Sequence, residues 1–355
     1  MSNCALDKKL FLDEDLAYLL QQKIQRIDAF NFHWDKCFPA RSQALLKELK
    51  ALSTISSVGS STRIEGASLC DEEIKTLIAN MAITQLKSRD EEEVLGYFEV
   101  INLIHESYEA INLSEAYIKQ LHSMLLQFSS KDTRHRGEYK ALSNKVVAQY
   151  PDGTSRVVFN TTEPYLTAKE MNELVDWTNI KLKDSNYHQL LVIAIFVYEF
   201  LSIHPFQDGN GRLSRLLVNL LLLRAGYGFV QYISLERIVE ERKKAYYESL
   251  MMGQKNRYSE TEDITLWLGF FMDTIEVAID RLEQRIAFAK NLEINDRQNL
   301  ILDLIKLNGS ARMSKIKESF SNVPKSTLNL DLKILTERNL IQRNGRGRGT
   351  WYTAY

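Results

Sequence analysis

His204-Pro205-Phe206-Gln207-Asp208-Gly209-Asn210-Gly211-Arg212-Leu213-Ser214-Arg215 lies between two apolar runs, Leu190 to Ile203 and Leu216 to Leu223. The pattern is two buried segments joined by one polar turn. Pro205 disfavours helical backbone at the residue before it, so the first helix is expected to end at His204 with its imidazole projecting from that end. A histidine near its reference pKa can take a proton from a hydroxyl at neutral pH. Asp208 is a hard oxygen ligand of the kind that holds Mg²⁺ while substrate phosphates supply further ligands. Gly209 and Gly211 let backbone approach an anion, and a helix beginning near Gly211 would aim its free N–H groups at it. Arg212 and Arg215, three apart on one helical face, can clamp further phosphate oxygens. A plain loop between two core helices would not need a base, a metal-type carboxylate and two cations within twelve residues. The turn reads as a site for Mg²⁺-polyphosphate with a base beside it.

These residues resemble the signature of the Fic (filamentation induced by cAMP) family, H-P-F-x-[DE]-G-N-G-R-x-x-R, at every fixed position. The resemblance implies transfer of AMP from ATP to a hydroxyl side chain of a protein, with release of diphosphate. It implies His204 as the base, Asp208 as the holder of Mg²⁺, Gly209, Asn210 and Gly211 as the phosphate cradle, and Arg212 and Arg215 on the outer phosphates. Upstream, Ser61-Thr62-Arg63-Ile64-Glu65-Gly66 is similar to the family's inhibitory motif, [ST]-x-x-x-E-[GN]. By pattern alone, Ser56 to Ser68 is a short helix headed by serine and capped at Gly66, with Glu65 a solvated helix residue. The resemblance instead implies that Glu65 pairs with Arg215, fills the space of the ATP γ-phosphate and blocks a productive pose; Ser61 and Gly66 belong to the same motif.

Other parts follow from periodicity. Leu10 to Leu52 reads as amphipathic helices with Leu16, Leu19, Leu20, Ile24 and Ile27 on the apolar positions; Arg41 to Leu52 is the second of them. Phe30, Phe32, Trp34 and Phe38 form an aromatic cluster best explained by core packing. Asp71 to Ile83 is helical, Lys87 to Glu93 a charged connection, and Val94 to Tyr108 and Leu113 to Leu126 further helices. His105 and His122 show no sequence partner and read as surface or core residues. Two β-prone runs about Pro151-Asp152-Gly153 predict a hairpin. Resemblance makes it the family's flap, which holds a target segment by main-chain pairing. Leu166 to Lys181 and Glu241 to Met252 are helical; the resemblance makes Tyr247 the candidate to face adenine, although adjacent aromatics such as Tyr246 and Tyr247 more often serve a core. Ile264 to Asn291 reads as one long helix or two.

The tail, 295–355, carries eleven basic residues against five acidic. Helices at Gln298–Leu307, Ser314–Phe320 and Ser326–Glu337, a strand from Asn339, and a basic hairpin over Arg343–Tyr352 are similar to a winged helix-turn-helix domain. Lys325 to Lys333 is its candidate recognition helix. Such modules bind DNA or dock proteins.

The expected architecture is mainly α: an N-terminal helical region over 1–95 with the inhibitory helix near 56–66, a Fic-type helical bundle with a β-hairpin flap over 96–255, a helical linker over 256–294, and the winged helix domain over 295–355. Charge is balanced, 45 basic against 46 acidic residues, which gives no global bias toward nucleic acid or membrane. Cys4, Cys37 and Cys70 are far apart and lack zinc spacing, which fits a reducing compartment. The charged N-terminus is unlike a signal peptide, and Leu190–Ile203 is short and carries Glu199, so a cytoplasmic address without membrane contact is expected. Partners expected are ATP and a target protein, the chain itself included; many relatives form dimers, which leaves a homodimer open. Two rival readings are removal of AMP from modified proteins, with Glu65 orienting a water, and a nucleotide-sensing DNA-binding regulator.

Overall fold

The computed structural model describes residues 3–37, 43–81, 86–129, 131–149, 155–292, 295–338, 340–345 and 347–354. Two units divide the chain, Met1–Leu282 and Glu283–Tyr355. The first opens with α1 (Asn3–Lys8) and α2 (Glu14–Cys37). Leu16, Leu20, Ile24 and Ile27 of α2 are buried as their spacing predicts, whereas Leu19 faces solvent. Of the expected aromatic cluster, Phe30 and Trp34 pack on Phe229 and Tyr232, with ring centroids 5.1 and 5.2 Å apart. Phe32 faces outward, and Phe38 lies outside the described residues.

α3 (Gln43–Ile64) is a single helix where the sequence pattern predicts two. The hydroxyls that suggest a helix start at Ser56 sit instead inside the helix. Thr54 and Thr62 donate to the carbonyls of Lys50 and Val58 one turn back, both at 2.9 Å, and Ser53, Ser57, Ser60 and Ser61 are buried small residues. The helix stops where expected, with Gly66 at φ 109°. α4 (Asp71–Ala79) follows. α5 (Arg89–Ser107) starts earlier than its apolar periodicity, because Ser88 and Glu91 form a capping box that takes the charged stretch into the first turns. α6 (Glu115–Leu125) is capped by Ser114.

The expected hairpin is present as β1 (Lys145–Gln149) and β2 (Ser155–Asn160), antiparallel, with a register irregularity at Val146/Val147. Its Pro151-Asp152-Gly153 turn lies outside the described residues. α7 (Pro164–Lys181) takes Pro164 in its first turn. α8 (Gln189–Ile203) is buried on all sides and packs against α7 and α9 (Asn210–Arg224). Glu199 is accommodated inside it by Lys9 at 3.2 Å and Arg257 at 3.1 Å. A 3₁₀ turn at Gly228–Tyr232, α10 (Leu235–Glu241), α11 (Lys243–Gln254) and the single long α12 (Thr265–Leu292) complete the helical set; the unit boundary falls within α12. No helix among the described residues is long and apolar enough to cross a membrane.

The second unit contains α13 (Asp296–Leu307), β3 (Ala311–Arg312), α14 (Met313–Ser319), α15 (Lys325–Glu337), β4 (Ile341–Asn344) and β5 (Trp351–Ala354). Its antiparallel sheet has the order β3-β5-β4; β3 is too short to be read from sequence alternation. Asn339 and Arg346 lie outside the described residues. Ile301, Ile305, Ile316, Leu328, Leu332 and Ile341 form a core of its own.

Candidate active site

The turn between α8 and α9 is set by backbone that few residues adopt. His204 caps α8 at φ 51°, ψ 60°, its N–H still bonded to the Phe200 carbonyl at 2.9 Å. A left-handed histidine is uncommon and persists only where neighbours hold it. Its Nδ1 lies 3.2 Å from the Leu201 carbonyl. A carbonyl can only accept, so Nδ1 carries the proton and Nε2 keeps a free lone pair. Burial pushes the imidazole down to about 4, so it is neutral near pH 7.

Gly209, at φ 78°, turns the chain into α9, and its N–H donates to Asp208 Oδ1 at 2.6 Å. The Asn210 side chain is buried and bonds both the Phe206 N–H, at 2.9 Å, and the Phe206 carbonyl, at 2.7 Å. Asn210 therefore shapes the loop, and what it can offer an anion is its backbone N–H. Asp208 contacts Arg212 at 3.2 Å and Arg89 at 2.7 Å. Burial opposes its ionisation, but Arg212, the Gly209 N–H and Arg89 hold it below the usual carboxylate range. Arg212 is buried and also meets Glu93 at 3.0 Å.

The turn borders a cavity of about 280 Å³ that Glu65, His204, Asp208, Gly211, Arg212 and Tyr247 help to line. Arg215 is not among its lining residues. Its NH2 contacts Glu65 Oε1 and the Ser61 carbonyl, each at 2.8 Å, and its Nε donates to Ser61 Oγ at 2.8 Å. So Arg212 and Arg215, expected to act side by side, face different partners. Glu65 is drawn to the start of α9: a Cβ on Gly211 would stand 2.1 Å from Glu65 Oε1. Burial opposes the Glu65 charge, yet Arg215 and, more weakly, Arg212 keep its carboxyl below the ordinary value. Tyr246 is buried against Trp267 and Phe270, at 5.9 and 5.8 Å; it and half-buried Tyr247 both border the cavity beside Leu250.

Several participants have no visible partner in the sequence. His122 is fully buried under the turn: its Nδ1 accepts the Gly137 N–H at 2.8 Å, and its Nε2 donates to the Asp208 carbonyl at 2.9 Å. The ring stacks on Phe206 with centroids 3.7 Å apart. Its position among Ile118, Leu121 and Leu125 on one buried helical face was the available signal. Arg89 and Glu93 reach the site from α5. Arg63 fixes the end of α3 through Glu240 at 2.7 Å and Asp71 at 2.9 Å, and Lys243 Nζ donates to the Ile64 carbonyl at 2.6 Å.

Residues 112–222 match the sequence model of the Fic/DOC family. The chain carries a Fic/DOC family domain. That domain spans α6, the hairpin and α7 to α9; Glu65 and Tyr247 lie outside the matched residues. Protein adenylyltransferase Fic of Drosophila willistoni is 29% identical over 269 residues, 73% of this chain and 48% of that protein. The Drosophila melanogaster protein of the same name is 28% identical over 241 residues, 67% of this chain and 44% of that one. The chain thus spans about half the length of the curated relatives it matches. A crystal structure of a Fic family protein from Desulfovibrio desulfuricans aligns with TM-score 0.67 and 21% identity over 98% of both chains. Fic-1 from C. elegans, residues 134–508, aligns with TM-score 0.60 and 19% identity over 77% of this chain and 74% of that one. The mainly helical Fic/DOC fold is shared with both.

Proposed function

We propose that this protein transfers AMP from ATP to a hydroxyl side chain of a target protein, and that Glu65 restrains it. The observation that carries this reading is the meeting, at one cavity, of a neutral His204 with a free Nε2 and a Glu65 carboxylate seated on the α9 N-terminus. The N-terminus of a helix is an anion site. With Glu65 removed, the Asn210 and Gly211 N–H groups and the Arg215 guanidinium lose a competing carboxylate, while the Gly209 N–H and Arg212, which meet Asp208 and Glu93, would reach a polyphosphate by exchanging those partners. Tyr247 borders the same cavity and is the proposed adenine contact. His204 Nε2 takes the proton of the target hydroxyl, whose oxygen attacks the α-phosphorus as the bond to diphosphate breaks. The hairpin β1–β2 holds the target segment by strand pairing.

Asp208 fits a Mg²⁺ role. It is one carboxylate at the cavity wall, held below the ordinary carboxylate range by Arg212, the Gly209 N–H and Arg89, so it offers a charged oxygen to an ion. That is the donor set for an ion completed by phosphate oxygens and water. The ion would supply charge stabilisation on the leaving diphosphate.

Proximity of Glu65 to His204 also supports a second reading, removal of AMP with Glu65 orienting a water. The second unit supports a winged helix reading, with α14 and α15 as the helix pair and β4–β5 as the wing; the eleven basic residues of 295–355, against five acidic, favour DNA as ligand. Incubating wild type, Glu65→Gly and Glu65→Gly/His204→Ala with α-labelled ATP, Mg²⁺ and cell extract tests the main reading. Label on protein with Glu65→Gly alone supports it. No label in any sample, with ATP binding demonstrated, overturns it.

A further inference from the structure

Lys140 is a buried cation held by neutral groups. It is 4% exposed, and its ammonium donates to the Ile203 carbonyl at 2.9 Å, Thr161 Oγ1 at 2.8 Å and Asn144 Oδ1 at 2.9 Å. Burial pushes it down to about 8. Enclosing an ammonium among neutral oxygens is costly compared with leaving it in water, so a gain elsewhere is expected.

The partners suggest that gain. Asn144 immediately precedes β1 and Thr161 immediately follows β2, so one ammonium holds both feet of the hairpin. The Thr161 hydroxyl also contacts the Asn144 carbonyl at 3.0 Å. Ile203 is the last residue of α8, and the Lys140 backbone N–H donates to the Pro205 carbonyl at 2.8 Å. One residue therefore holds the carbonyls on both sides of His204. Asn144 Nδ2 adds a bond to the Phe206 carbonyl at 2.8 Å. His204 itself has the left-handed backbone that needs such support.

We propose that Lys140 is a positioning residue that fixes the hairpin at a set distance from His204, so that a segment held on the hairpin presents its hydroxyl to Nε2. The proposal rests on reading His204 as base and the hairpin as target holder. A misplacement of about 1 Å between reacting groups can cost roughly 100-fold in rate, so a rigid link between the two has direct value. The nucleotide cradle is built on α9 and does not use Lys140, so ATP binding is separable from this link.

The test uses the full chain with Glu65→Gly, adding Lys140→Met or the milder Thr161→Val, which removes one acceptor while keeping side-chain shape. Three quantities are read: amide hydrogen exchange over 145–149 and 155–160, affinity for a non-hydrolysable ATP analogue, and label transfer to extract proteins at varied ATP. Expected are about tenfold faster hairpin exchange, a maximal transfer rate lower by about 10- to 100-fold, and unchanged analogue affinity and apparent KM for ATP. A merely structural role would lower analogue affinity together with the rate. If Lys140→Met does not fold, Thr161→Val decides by the same readouts, with smaller changes in the same direction. Hairpin exchange unaltered in a folded variant overturns the proposal. If the Glu65→Gly parent transfers no label, the transferase reading fails, while the exchange result still decides whether Lys140 holds the hairpin.

Discussion

The Glu65 carboxylate stands 2.8 Å from the Arg215 guanidinium and rests on Gly211, where no side chain intervenes. A carboxylate of the chain thus occupies the anion position that a helix N-terminus and a buried arginine create together. Glu65→Gly should raise AMP transfer about tenfold or more, since a competing charge-assisted bond is removed from the proposed phosphate site. Unchanged transfer would sink the autoinhibition reading. The same variant leaves Arg215 buried without its carboxylate, so its Tm should fall without nucleotide and rise more steeply than wild type when ATP is added. Thermal melts at several ATP concentrations check this.

Ser61 gives a graded version of that result. Its hydroxyl and carbonyl both accept from Arg215, each at 2.8 Å, and only the first depends on the side chain. Ser61→Ala should loosen the arginine by one hydrogen bond, worth about 1.5–3 kcal/mol when a charged group is involved. Basal transfer should then lie between wild type and Glu65→Gly. A rate equal to wild type would show that the carbonyl contact alone aims Arg215.

Acid stability follows from three histidines. Burial pushes His105, His122 and His204 each down to about 4 from 6.5. Above pH 6.5 they are neutral in both folded and unfolded chains. Between pH 6.5 and 4 the unfolded chain binds protons that the folded one does not, so stability must fall as pH falls through that window. His105 is the cleanest probe, because it is 6% exposed and neither ring nitrogen has a hydrogen-bond partner among the described residues. His105→Leu should raise Tm and flatten its pH dependence below 6.5, as read by melts at stepped pH. A slope unchanged from wild type would refute the assignment.

How much could be read in advance depended on whether the partners were neighbours in the chain. His204, Asp208, Gly209 and Gly211 lie within one turn, which folds locally through Pro205, a left-handed His204 and one glycine-permitted bend at Gly209. Glu65 is different. Its partner is 150 residues away, so its own helix gives no hint of pairing, and the family resemblance alone pointed to Arg215. The contact of His122 is hidden for the same reason: 86 residues separate it from the Asp208 carbonyl, and an imidazole on an apolar helix face signals burial without naming its partner. α3 is longer than its sequence pattern predicts because serines that commonly start helices are used there as small buried residues. Local propensity gives way where tertiary burial decides.

Asp331 is a carboxylate buried on α15 in the second unit. Arg297 reaches it with Nε at 2.6 Å and NH2 at 3.2 Å, and Gln298 Nε2 donates at 2.9 Å, which together join the start of α13 to the middle of α15. Burial opposes its charge, but these donors hold its carboxyl below the ordinary value. Asp331→Ala strips the acceptor from the buried Gln298 amide, while Arg297, one-third exposed, can return to water. The cost should be about 1–3 kcal/mol, the desolvation penalty of a stranded buried donor. Because the second unit has its own core, calorimetry should show a transition of 283–355 moved to lower temperature while the transition of 1–282 stays in place. AMP transfer by the Glu65→Gly background should be unaffected. A single transition that shifts as a whole would mean that the two units unfold as one cooperative body.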